Sequence, residues 1–298
     1  MKKLSIILPL MLAVICVSGC SKSEKAAETA ATAGSETTVP EATVPETTVL
    51  ETTEKSSEAS KKPSDSGASG TLIVGFDQEF PPMGFIGEDG EYTGFDLELA
   101  KEVAKRLGLE YKAQPISWDA KDMELESGNI DCIWNGFTMT GREDAYTWSD
   151  PYMENSQVFV VNSDSGIKTI ADLKDKVVEV QMDSSGLKAL EENPDILNSF
   201  KQLITTPDYN TAFMDLQQGA VDAICMDVIV AGYQISERSA DMIILDESLS
   251  KEEYGIGFKK GNTELRDKVN SCLKDMKEDG TLAEISTKWF SKDITTIK

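Results

Sequence analysis

The run NGFTMTGRED, Asn135 to Asp144, sets one arginine behind small uncharged residues and two threonine hydroxyls. A guanidinium is a planar fork of donors that grips two oxygens of one anion at once. Other side chains with chemistry to offer stand after strand-like runs. Asp77 and Phe80 follow LIVGF, Trp118 follows LEYKAQPI, Ser184 and Ser185 follow KVVEVQM, and Asp227 follows AVDAICM. Together they make aromatic faces, hydroxyls, one arginine and two acids, with no nucleophile beside a base. The chain has no histidine, so it cannot build a Ser-His-Asp or Cys-His nucleophile or a histidine-containing zinc site. Carboxylates are abundant, but in an acidic chain most of them are solvated surface.

The elements that must position these residues alternate between two periods. TLIVGFD (71–77) reads as a strand, and FDLELAKEVAKRLG (95–108) carries apolar groups at helical spacing with Gly108 as its stop. LEYKAQPI then reads as a strand, WDAKDMELESG as a helix and NIDCIWNGF as a strand. The second half repeats the scheme with KVVEVQM, SSGLKALEENP, FKQLITT, YNTAFMDLQQG and AVDAICMDV. ESGNIDCIW and QQGAVDAIC echo each other as a helix end, a glycine and an Asp-containing strand. This order predicts an α/β fold in two similar lobes with largely parallel sheets. Such folds bind ligands outside the carboxyl ends of their strands, where the residues above stand.

The chain opens MKKLSIILPLMLAVICVSGCSKSE, with two lysines, an apolar run and small residues, as an export signal does. The run is short of the roughly 20 residues that a membrane-spanning helix needs. VSGC, Val17 to Cys20, resembles a lipobox, which implies a lipidated Cys20 and a lipid anchor on the outer face of the bacterial cell membrane. From Ser21 to about Gly70 the chain is almost pure Ala, Thr, Glu, Ser, Pro and Lys, too poor in large apolar groups to order itself. A flexible tether of roughly 50 residues spans on the order of 40 Å. The acidic excess of Thr71 to Lys298 argues against nucleic acid as a partner, since a phosphate backbone would be repelled. Cys132 and Cys225 lie in apolar strand-like runs and read as small buried hydrophobes.

VGFDQEFPPMGF, TGFDLELAKEVAKRLG, SWD, NGFTMTGRE, WSDPYMENSQVFVV and YGIGFKKGN, in this order, resemble the solute-binding proteins of ABC transporters that bind polar amino acids. The resemblance runs from about Thr71 to Phe290. It implies a two-lobed periplasmic-binding-protein-like fold with a ligand cleft between the lobes, joined by crossings near Gln157 to Val161 and Glu253 to Gly257. The implied organisation is a signal peptide over 1–19, lipidated Cys20 and tether over 20–70, a first lobe over 71–157 and a second over 158–253. Residues 254–298 return to the first lobe and end in helices.

The resemblance also implies roles. Arg142 grips the ligand α-carboxylate with Ser184, Ser185 and Thr138; Asp227 takes the ammonium with Asn135 and Gly136; Phe80 and Trp118 sandwich the ligand side chain, which Asp77 reads. Asp77 can equally cap the turn that follows it. No catalytic residue, cofactor or metal is implied. The implied partners are a free amino acid and a membrane permease with its ATPase, and a monomer is expected. Arginine, lysine, histidine, glutamine and cystine all suit such a pocket. The chain departs from the family in reading TMTGR, one residue shorter before the arginine than the usual TITPER, and in placing serines where threonines are usual. A surface ion pair of Arg142 with Glu143 or Asp144 is the competing reading. Two other functions use this fold. One is a ligand sensor acting through a separate receptor. The other is a cyclohexadienyl dehydratase-like enzyme, for which Glu79, expected to face solvent, is the acid to nominate.

Overall fold

The computed structural model describes residues 70–298; the export segment, Cys20 and most of the tether lie outside the described residues. β1 (Thr71–Phe76) leads into a small antiparallel meander, β2 (Glu79–Phe80), β3 (Gly84–Ile86) and β4 (Tyr92–Thr93). There follow α1 (Phe95–Leu107), β5 (Glu110–Pro115), a 3-10 turn at Trp118–Ala120 running into α2 (Lys121–Ser127), β6 (Cys132–Ile133) and β7 (Thr147–Trp148). The second half comprises β8 (Met153–Asn162), β9 (Val177–Gln181), α3 (Ser185–Glu191), α4 (Pro194–Leu197), β10 (Gln202–Thr206), α5 (Tyr209–Gln218), β11 (Ala223–Asp227) and α6 (Val228–Arg238). The chain closes with β12 (Met242–Tyr254), β13 (Gly257–Phe258), α7 (Thr263–Glu278) and α8 (Thr281–Phe290).

Two five-stranded sheets result, ordered β5-β1-β6-β13-β7 and β10-β9-β11-β8-β12. In each, three strands run parallel, while β13 lies antiparallel to β6 and β7 and β8 lies antiparallel to β11 and β12. Each reversed strand adjoins a crossing between lobes, β8 on the way out and β13 just after the way back, and no β-α repeat in the sequence announces them. Sequence reasoning placed the first crossing at Gln157 to Val161, but those residues pair with Asp227 to Ala223 of β11, well inside the second sheet. Glu154 to Ser156 pair with β12 alone, and Met153 bridges Thr295 as well, so the crossing falls there, and the chain returns between Tyr254 and Gly257.

The helices form where the pattern requires them. α1 buries Phe95, Leu97, Leu99, Ala100, Val103 and Ala104 on one face. Asp96 and Glu98 in its first turn and Lys105 and Arg106 in its last complement the helix dipole, and Gly108 ends it at φ 70°. α7 and α8 cover the same lobe, with Phe290 meeting Phe95 edge to face at 5.1 Å. Cys132, Cys225 and Cys272 are buried and unpaired among the described residues. No described helix is long and apolar enough to cross a membrane.

Candidate functional site

Strands β1, β6, β9 and β11 all end at one cleft between the two sheets. A narrow cavity lies there. The first lobe contributes Asp77, Phe80, Trp118, Asn135, Gly136, Thr138 and Arg142, and the second contributes Gln181, Ser184, Ser185 and Asp227. Every residue that the resemblance implies for ligand contact is in that lining, and Gln181 joins them.

Asp77 leaves β1 and is buried. Its Oδ1 accepts the Glu79 N–H at 2.9 Å, and its Oδ2 accepts from Gln181 Nε2 at 2.7 Å. It therefore caps the turn and faces the cavity at once; the two readings do not compete. Burial pushes its carboxyl up to about 6, against the lowering effect of those hydrogen bonds. The Asp77 N–H donates to Asn135 Oδ1 at 3.0 Å, which ties β1 to the loop after β6.

That loop is anchored from behind. The Gly136 N–H donates to Asp96 Oδ2 at 2.5 Å, and the Tyr152 hydroxyl donates to the same oxygen at 2.8 Å. Gly136 sits at φ 55°, where a side chain is strained, and an added Cβ would lie 3.1 Å from both Phe80 and Tyr254. A glycine is thus what lets the backbone pass under the Phe80 ring. Trp118 is held edge to face by Phe137, with centroids 5.4 Å apart.

Arg142 reaches the cavity despite the shortened loop, because Gly141 takes φ 77° and lets the chain turn tightly. Its guanidinium donates to the Thr138 carbonyl of its own lobe and to the Asp183 carbonyl of the other, both at 3.3 Å, and lies 5.4 Å from the Phe137 ring centroid. Glu143 turns away to the Gly141 N–H at 3.0 Å, so it is not the arginine's partner. Across the cleft, Ser184 caps α3 by accepting the Leu187 N–H at 3.1 Å. Ser185 Oγ accepts from Gln157 Nε2 at 2.9 Å and meets the Thr138 hydroxyl at 3.3 Å.

Asp227 ends β11, almost wholly buried. It accepts from Asn155 Nδ2 at 2.6 Å and from the Tyr254 hydroxyl at 2.7 Å. Burial first, and the neighbouring Glu252 carboxylate second, push its carboxyl well above the usual range. No ion pair engages it among the described residues.

The lobes are latched at the rim. Buried Lys121 pairs with Asp183, Lys188 Nζ donates to the Gly141 carbonyl, and Asn210 Nδ2 donates to Glu79. Glu79 is therefore half-buried against the opposite lobe, outside the cavity lining, and does not face solvent as expected. Sequence reasoning missed Gln181, the last residue of β9, although the strand-end rule could have found it. It also missed Glu252, Asn155 and Gln157, which lie on the crossing strands, in charged or polar runs that read as surface.

Comparison with known proteins places this geometry among described ones. Residues 72–292 match the model of the bacterial extracellular solute-binding proteins, family 3. The L-cystine-binding protein TcyJ of Escherichia coli (strain K12) is 35% identical over 229 residues, covering 76% of this chain and 85% of that protein. The arginine-binding extracellular protein ArtP of Bacillus subtilis (strain 168) is 32% identical over 240 residues, covering 78% and 91%. Among solved structures, an ABC uptake transporter substrate binding protein from Streptococcus pneumoniae with bound histidine superposes with a TM-score of 0.74 at 37% identity, covering 76% of this chain and 94% of that one.

Proposed function

The chain belongs to the bacterial extracellular solute-binding proteins of family 3, and from that membership we propose how it holds its solute: Arg142 grips the carboxylate and Asp227 the ammonium of one free polar amino acid. Its function is to bind an amino acid for an ABC transporter. One observation carries the proposed pose. The cavity has a guanidinium on the first lobe and a buried carboxylate without a cation on the second. A zwitterion supplies the complement of both, and burying either charge unpaired is costly.

Thr138, Ser184 and Ser185 add donors for the carboxylate, while the Asn135 carbonyl and Gly136 border the ammonium. Phe80 and Trp118 flank the side chain, and Asp77 with Gln181 reads its polar end. A ligand spanning both lobes gains its full set of contacts only in the closed form, so binding shifts the population toward closure. The closed protein then delivers the amino acid to a membrane permease driven by an ATPase, and acts by capture without catalysing a reaction. Lipidation at Cys20 anchors it to the outer face of the membrane; Cys20→Ala should release the protein from the membrane fraction.

A thermal-shift screen of the purified protein against the free amino acids and cystine tests the reading, since a ligand that binds only the native state raises Tm by mass action. A polar amino acid should raise Tm in the wild type and fail to do so in Arg142→Ala and Asp227→Ala. A shift that survives both substitutions would overturn the assigned contacts.

A further inference from the structure

Behind Asp227 lies a second buried carboxyl. Glu252, on β12, is 7% exposed and does not line the cavity. Its Oε2 collects three donors: the Thr138 hydroxyl at 2.9 Å, Gln157 Nε2 at 3.0 Å and Asn155 Nδ2 at 3.1 Å. The Asn155 amide is shared, because the same nitrogen donates to Asp227 Oδ1 at 2.6 Å. Glu252 thus reaches the cavity lining three times, through Thr138 of the first lobe, through the amide that holds Asp227 and through the Gln157 amide shared with Ser185.

The cluster is unbalanced in charge and in hydrogen bonds. Among the described residues neither Asp227 nor Glu252 forms an ion pair. The amide oxygens of Asn155 and Gln157, both buried, have no donor either. The titratable groups that face the pair are Cys225 on β11, Tyr254 on β12 and Tyr209 on α5, all neutral at ordinary pH since burial raises them. Lys251 and Glu253, the strand neighbours of Glu252, are exposed, as is Glu154 on β8. Arg142 donates to the Thr138 and Asp183 carbonyls and pairs with neither carboxyl. An excess of buried acceptors with no cation calls for a group that is both charged and rich in donors, as an ammonium is.

We propose that Glu252 is a positioning residue of the ammonium subsite, a second carboxyl that orients Thr138 and Asn155 and adds its charge to that of Asp227. The subsite then demands a full cation and turns away a neutral donor. This inference rests on the amino acid reading above. It has a consequence in solution. Burial, and then the Glu252 carboxylate, hold the Asp227 carboxyl above its ordinary range, and an arriving ammonium favours its ionised form, so capture releases a proton.

Isothermal titration calorimetry with L-arginine, L-cystine, L-histidine and L-glutamine, in phosphate and in Tris at neutral pH, tests the proposal on wild type, Glu252→Gln and Glu252→Asp. The wild type should bind at least one of the four with proton release, seen as a heat that depends on the buffer. Glu252→Gln should bind that amino acid about tenfold or more weakly and release less proton, while its ligand-free Tm is equal or higher because a buried repulsion is gone. Glu252→Asp, which keeps the charge, should bind more tightly than Glu252→Gln. Unchanged affinity and proton release in Glu252→Gln would overturn the proposal. So would a Glu252→Gln protein that melts lower or does not fold, since Glu252 would then be a structural group. If none of the four amino acids binds the wild type, the amino acid reading itself falls and takes this inference with it.

Discussion

Asp96 offers a test of how the site loop is held. It is fully buried in the first turn of α1, and both of its hydrogen bonds fall on Oδ2, from Gly136 and Tyr152, while Oδ1 has no partner. Burial pushes its carboxyl from the ordinary 3.8 up to about 7. A carboxyl whose pKa is higher in the folded than in the unfolded chain binds protons more tightly when folded. Its contribution to stability is therefore full below about pH 4 and is lost as pH rises through about 7. A shift of this size amounts to roughly 4 kcal/mol between those limits. Asp96→Asn removes the titration and keeps one oxygen for both donors, at the cost of a buried amide nitrogen without an acceptor, about 1–3 kcal/mol. The variant should be less stable than the wild type near pH 4 and more stable near pH 8, so the two stability curves cross. Urea denaturation across that range measures it. Parallel curves would refute the reasoning, because the other raised carboxyls, Asp77, Glu179 and Asp227, are common to both proteins.

Arg142→Lys keeps the charge but loses the fork, and should weaken amino acid binding by about ten- to a hundredfold in calorimetry, since charge-assisted hydrogen bonds contribute about 1.5–3 kcal/mol. Gly136→Ala puts a Cβ at φ 55° and 3.1 Å from Phe80 and Tyr254; it should lower stability by about 1–3 kcal/mol in urea denaturation and displace Phe80 enough to weaken binding. Asp183→Asn keeps a residue that tolerates the left-handed backbone at φ 56° but leaves buried Lys121 without a counter-charge. Because Asp183 is half exposed, the expected cost is modest, about 1 kcal/mol in the closed form. Stopped-flow should show faster ligand release with little change in association.

The parts of this molecule written as local patterns were legible in its sequence, and the parts written as long-range pairings were not. α1 announces itself through the spacing of Leu97, Ala100 and Val103 and through Gly108, and each parallel strand follows its helix in the expected order. β8 and β12 escaped because their meaning lies in each other. MENS carries no strand signal of its own until it is set against the KEEY of the partner strand. The cavity lining was readable wherever a residue follows a strand end. Glu252 was not, since a glutamate between Lys251 and Glu253 looks like a solvated charge, and only the register of β12 turns it inward between two exposed neighbours. Asp96 was hidden for the same reason: an acid in a first helical turn suits the dipole and asks for no further role.

In the proposed pose a single amino acid joins the lobes by its two charged ends. A crystal structure of the protein with the amino acid that raises its Tm tests this most directly. The α-carboxylate should lie on the Arg142 guanidinium and the ammonium on Asp227, with the ligand side chain between Phe80 and Trp118. An amino acid bound in the reverse sense, or bound away from Arg142 and Asp227, would contradict it.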